Sequence, residues 1–258
     1  MLGAIAGDII GSRFEGHPAP PTGFELFHPR CRFTDDTVCS LAVAEAVLGD
    51  RDFAGTLRRF VRRYPDAGYG GMFIGWAMQD DAPAYGSWGN GAPMRVAAVG
   101  WLASSEAELL ELAADQAAVS HDHPDAIAAA GAVALAIFRL REGMPAREVA
   151  AGISDAFGYD LAPEKALTGG GFDVSAAGTV PPALAAAFAA LDFEDAVRTA
   201  VCLGGDTDTL ACITGAVAEP LFGVPEEIAA RARAHLTPDL LAVLERFEAA
   251  LVNRPARG

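Results

Sequence analysis

At 258 residues, with 52% hydrophobic and 21% charged side chains, the chain is long enough to bury one sizeable core and reads as a single globular domain over 1–258. A formal charge of −15, from 34 Asp and Glu against 19 Lys and Arg, argues against general electrostatic binding of a nucleic-acid backbone, though not against contact with one modified nucleotide. No uninterrupted apolar stretch of about 20 residues occurs, so no membrane span is expected.

The first segment, Met1 to Asp8, has no basic residues, and Asp8 interrupts its apolar run; it does not read as a secretion signal. Cys31, Cys39, Cys202 and Cys212 show no CxxC spacing and no histidine at zinc-ligand spacing. Without an export signal they are expected to be reduced core residues of a cytoplasmic protein.

Thr34-Asp35-Asp36-Thr37 comes next, followed at once by the apolar run Val38 to Leu48. It reads as the first turn of a helix, where unpaired backbone N–H groups and the macrodipole favour negative charge. Two glycine-rich loops follow, Gly68-Tyr69-Gly70-Gly71 and Gly86-Ser87-Trp88-Gly89-Asn90-Gly91, the second leading into Ala92 to Leu102. Such a loop lets the backbone approach a ligand and offers N–H groups to a phosphate, and Trp88 adds a flat face for a base. Most loops of this composition are simply turns. The Lys that a Walker A motif needs is missing.

Further along, Ser105 to Glu108 is a capping box, and an Ala-rich run extends from Asp125 to Leu140. Between them lies Ser120-His121-Asp122-His123-Pro124. His121 is expected to hydrogen-bond a ligand or a helix end; a zinc site built on His121 and His123 is the alternative. Helical runs then open at Met144-Pro145, Pro181-Pro182, Asp192, Pro225 and Thr237-Pro238. Alternating β-type patterns are nearly absent, and the Ala and Gly content implies closely packed helices with small residues at their crossings. An all-α domain of about ten or more helices is expected.

The last informative segment is Gly204-Gly205-Asp206-Thr207-Asp208-Thr209, followed by the apolar run Leu210 to Leu221. Alone, each Asp-rich turn is explained as a helix cap. If the two meet in the fold, four carboxylates share one site with no Lys or Arg inside either cluster. Their repulsion raises their pKa values unless cations lie between them, and hard divalent ions with oxygen ligands, Mg²⁺ above all, suit that arrangement.

In this order the motifs resemble the ADP-ribosylglycohydrolase family, over Gly3 to about Gly223. Gly3 to Asp8 with Gly11 and Glu15 is similar to its opening helix and acidic residue. Thr34 to Thr37 and Gly204 to Thr209 resemble its two metal-ligand motifs. Ser87-Trp88-Gly89-Asn90-Gly91-Ala92-Pro93-Met94-Arg95 resembles its ADP-ribose loop, and Ser120-His121 with Pro124 its substrate-binding histidine segment.

The resemblance implies a single compact multi-helix domain and two Mg²⁺ ions, with Mn²⁺ as a substitute, held by Thr34, Asp35, Asp36, Asp206, Asp208 and Thr209. It implies Glu15, Asp35 and Asp36 as catalytic carboxylates, without saying which is the base. It places Gly70, Gly86, Ser87, Trp88, Gly89, Asn90, Gly91, Met94 and His121 on the substrate. Cleavage at C1 of a ribose passes through an oxocarbenium-like state, for which paired metals orient the vicinal hydroxyls and make a bound water more acidic. The expected partners are ADP-ribose and an ADP-ribosylated macromolecule, a protein before a nucleic acid, for a monomeric enzyme. Arginine is the first choice of acceptor, before serine, a nucleic-acid base or phosphate end, and O-acetyl-ADP-ribose. A non-catalytic ADP-ribose-binding or crystallin-like relative is the alternative.

Overall fold

A computed structural model describes residues 1–168 and 171–253. Among them run α1 (Leu2–Gly11), α2 (Asp35–Leu48), α3 (Phe53–Arg63), α4 (Gly71–Ala77), α5 (Gly91–Met94), α6 (Ala97–Leu102), α7 (Glu106–Ala118) and α8 (Pro124–Arg141). The second half holds α9 (Ala146–Phe157), α10 (Pro163–Ala166), α11 (Ala176–Ala189), α12 (Phe193–Cys202), α13 (Thr207–Phe222), α14 (Glu226–His235) and α15 (Pro238–Val252). No strand lies among the described residues; a lone antiparallel pairing of Gly89 with Ser175 ties two loops together. The all-α expectation holds.

Most helix starts follow from local chemistry. The hydroxyl of Ser105 accepts the Glu108 N–H at 3.2 Å, and Asp192 accepts the Asp195 N–H at 2.8 Å, each satisfying a donor the helix leaves free. The expected helix start at Pro181-Pro182 is overturned: both prolines lie inside α11, which begins at Ala176. Ser175 caps that helix by accepting the Gly178 N–H at 2.9 Å. Burial of Val180, Ala183 and Leu184 carries the helix through two positions that lack an N–H.

The centre of the fold is the crossing of α1, buried along its whole length, and α13, buried from Thr207 to Ala218. Gly3, Gly7 and Gly11 recur every four residues and so share one face of α1. A Cβ on Gly3 would lie 2.3 Å from the Gly215 carbonyl oxygen, and one on Gly11 would lie 2.3 Å from that of Thr207. Only glycine permits so close a backbone approach. The crossing carries Asp8 of α1 to the first turn of α13, beside the first turn of α2.

Candidate metal centre and substrate cavity

Thr34 caps α2, and Asp8 completes the cap from a different helix. The Asp8 carboxylate accepts the backbone N–H of Thr34 at 3.0 Å and of Thr37 at 3.1 Å, two donors at the start of α2. It also accepts the Thr34 hydroxyl at 2.7 Å and the Thr37 hydroxyl. The first turn of α2, which carries Asp35 and Asp36, is thereby fixed to α1.

Two carboxylate groups form around that junction. One oxygen each of Asp8, Asp36 and Asp208 lie within 4.8 Å of one another, as do oxygens of Glu15, Asp206 and Asp208. Asp208 belongs to both groups. The two Asp-rich turns therefore meet, though they stand about 170 residues apart in sequence. Thr209 donates its hydroxyl to Asp36 Oδ2 at 3.3 Å, and Asn90 donates its amide to Asp206 Oδ2 at 2.6 Å. The same Asn90 amide reaches the Thr179 hydroxyl at 3.0 Å.

Above this cluster lies a cavity of about 540 Å³. Glu15, Asp35, Asp36, Asp206, Asp208 and Thr209 line it, as do Gly70, Ser87, Gly89, Asn90, Gly91, Met94 and His121. Three of the expected site residues stand off its wall. Thr34 is buried beneath Asp36, bonded to Asp8. Gly86 donates its N–H to Asp122 Oδ1 at 2.6 Å. The ring of Trp88 is 53% exposed outside the lining. Asp35 lines the cavity but belongs to neither carboxylate group.

Several wall residues escape the sequence reading. Phe73 and Tyr85 flank His121, with ring centroids 5.9 Å from the imidazole in each case. Phe172 and Val174 come from the segment that pairs with the glycine loop, where Asn90 donates its N–H to the Val174 carbonyl at 2.9 Å. Asp8 is the chief omission from the expected site, since a single Asp in an apolar run reads as an interruption. Its one sequence signal is that a buried helix does not carry an unpaired carboxylate without a partner elsewhere.

The family model for ADP-ribosylglycohydrolases matches residues 1–256. The chain belongs to the ADP-ribosylglycohydrolase family. It is 24% identical to the ADP-ribosylhydrolase ARH3 of Homo sapiens, with 94% of this chain and 90% of that protein aligned. Identity to the Mus musculus ARH3 is also 24%, over 88% of this chain and 83% of that one. Identity to the Xenopus tropicalis ARH3 is 28%, over 47% of this chain and 43% of that relative. A solved structure described as an ADP-ribosylglycohydrolase-related protein complex shares the fold, with a TM-score of 0.77, 27% identity, and 97% of this chain and 95% of the other covered.

ADP-ribosylglycohydrolases are metal-dependent hydrolases of ADP-ribosyl linkages, and the residues here fit a metal centre. Asp36 Oδ1 is buried with no nitrogen or oxygen donor in reach. The neighbouring Cys212 thiol is a weak donor, and at 3.5 Å it is directed to the Met94 carbonyl. Burial pushes the Asp36 and Asp208 carboxyls well above the usual range, and the charges of surrounding carboxylates add to the shift. Burial likewise raises Asp8, opposed by its hydrogen bonds from Thr34 and Thr37. Asp35 is pushed up to about 8, by burial first and Asp8 second. Glu15, whose side chain is exposed at the cavity, is raised by desolvation and by Asp206, with Arg32 opposing. A closed set of oxygen donors carrying excess negative charge is the chemistry that a hard divalent cation satisfies.

Proposed function

We propose that this ADP-ribosylglycohydrolase is Mg²⁺-dependent, with Mn²⁺ as a substitute, and cleaves the bond between C1 of ADP-ribose and a modified acceptor side chain. The observation that carries this reading is the pair of carboxylate groups sharing Asp208 on the wall of a cavity about 540 Å³ in volume. Asp36, Asp206 and Asp208, with Thr209 and Asp35 beside them, would hold two ions, completed by Glu15 and Asp8. When bound, such ions polarise ribose hydroxyls and make water more acidic.

The remaining work falls to the chain itself. Gly89, Asn90 and Gly91 line the cavity and offer backbone on which a diphosphate can lie, with the His121 imidazole standing against Gly91. Phe172 on the wall offers a flat apolar surface for a base, and Trp88, exposed in the glycine loop, offers a second. Glu15 and Asp35 face the cavity with no hydrogen bond to another side chain among the described residues, so their carboxylates are placed to take a proton. In hydrolysis, water adds at C1 and gives one proton to a carboxylate. The bond from C1 to the acceptor breaks with its electron pair going to the acceptor, which leaves with the proton that the carboxylate took from water.

Arginine is the first acceptor to test, since a net charge of −15 favours cationic protein substrates over polyanions. The test is release of free ADP-ribose from arginine-, serine- and DNA-linked substrates and from O-acetyl-ADP-ribose, in Mg²⁺ and then in EDTA. Mg²⁺-dependent release from the arginine conjugate is expected. Release that persists in EDTA overturns the metal dependence, and binding of ADP-ribose without release from any conjugate makes the chain a non-catalytic relative.

A further inference from the structure

His121 sits at the end of a chain of hydrogen bonds that runs in one direction. Arg95 is fully buried and can only donate. Its Nε reaches Gln116 Oε1 at 2.8 Å, and its Nη2 reaches the Gln116 carbonyl at 2.7 Å and the Ser120 hydroxyl oxygen at 3.2 Å. Ser120, also fully buried, lies 2.8 Å from Nδ1 of His121 through the same oxygen.

A serine hydroxyl has one hydrogen to give. With Arg95 donating to its oxygen, that hydrogen needs an acceptor, and Nδ1 is the one in reach. Were Nδ1 protonated, Ser120 would receive two donors and its own hydrogen would be stranded in the interior, an arrangement proteins avoid.

We propose that Arg95 and Ser120 are positioning residues that hold His121 as the neutral tautomer protonated on Nε2, so that the ring presents an N–H donor to the substrate cavity. The geometry on the far side of the ring agrees. Nε2 faces the glycine loop so closely that a Cβ on Gly91 would lie 2.7 Å from it, and one on Gly89 would lie 3.8 Å away. Burial and the Arg95 charge also pull the imidazole pKa down to about 2, which keeps the ring uncharged. The donor therefore selects an oxygen acceptor, such as a phosphate or ribose oxygen, in place of an N–H group.

The identity of that acceptor rests on the proposed function, whereas the tautomer does not. The test is ¹H–¹⁵N correlation of the histidine ring nitrogens in the full-length protein, with His121 assigned by the signals lost in His121→Gln. A pyrrole-type Nε2 and a pyridine-type Nδ1 are expected in the wild type. Ser120→Ala should lose that pattern and bind ADP-ribose about tenfold more weakly, equivalent to about 1.4 kcal/mol; Ser120→Thr should restore both. A wild-type ring protonated on Nδ1, or a Ser120→Ala ring still held wholly as the Nε2–H form, overturns the proposal. Wild-type protein that shows the Nε2–H ring but does not bind ADP-ribose would support the tautomer and count against the proposed function instead.

Discussion

Gly7 of α1 and Ala211 of α13 approach so closely that a Cβ on Gly7 would lie 1.9 Å from the Ala211 carbonyl oxygen. The next residue along α1 is Asp8, and Asp208 lies one turn before Ala211 on α13. The missing side chain thus sets the distance between two carboxylates. Gly7→Ala must push the helices apart, and it should destabilise the protein by about 1–3 kcal/mol or more while weakening divalent-ion binding. Gly75→Ala, in a helix with open space around the new methyl, should be neutral or mildly stabilising. Denaturant unfolding of both variants, with and without Mg²⁺, checks the pair; equal effects at the two sites would contradict the steric account.

Asp8 accepts donors that would otherwise be buried without partners. Asp8→Asn keeps the shape but replaces one acceptor oxygen with an N–H₂ facing the Thr34 or Thr37 donors. The expected loss is about 1–3 kcal/mol for the unsatisfied groups. Because the first turn of α2 carries Asp36, metal affinity should fall along with stability. Isothermal titration with Mn²⁺ and a thermal melt measure the two effects, and an Asn variant with wild-type metal affinity would count against Asp8 as an organiser of the site.

Asn90 orients Asp206 through its 2.6 Å amide contact. Asn90→Asp replaces that donor with another negative group. The metal-free variant should be less stable than the wild type, and the deficit should shrink as Mg²⁺ is added, since cations relieve the added repulsion. ADP-ribose affinity should drop by about tenfold through loss of loop geometry. Melting curves across a Mg²⁺ titration decide the first point.

The pH dependence of the metal-free protein follows from the raised carboxyls. A carboxyl near 4 in the unfolded chain and higher in the folded one favours folding below about pH 4, and that contribution is lost as pH rises toward the folded value. For Asp35 the window ends near 8. Asp8, Asp36 and Asp208 shift in the same direction. In EDTA, stability should therefore fall from pH 5 to pH 8, and the gain in Tm on adding Mg²⁺ should grow over the same range. A Mg²⁺ gain that shrinks as pH rises would contradict the cluster's electrostatics.

The sequence was most legible where chemistry is local. Asp-rich turns before apolar runs signalled both helix starts at the site, and an Ala- and Gly-rich helical pattern predicted close crossings of the kind found between α1 and α13. The signal was weaker where a residue's partner lies far along the chain. Asp8 acts through Thr34, 26 positions away, and nothing in its own helix shows that. Pro181-Pro182 misled because proline at a helix start is the commoner case, while here a serine cap six residues earlier and a buried face prevail. Phe172 and Val174 lie in an irregular segment that reaches the cavity through backbone pairing, so no side-chain periodicity marks them. Trp88 is 53% exposed and is not among the residues lining the cavity, whereas Gly89 and Asn90 of the same loop are.

The most direct test of the account is the number of divalent ions bound per chain. Electron paramagnetic resonance of a Mn²⁺ titration should count two in the wild type, because two carboxylate groups share Asp208. Asp208→Asn, folded as judged by circular dichroism, should lose both sites or retain one weakly. A single ion in the wild type, or two undiminished ions in Asp208→Asn, would contradict a dinuclear centre built on that shared carboxylate.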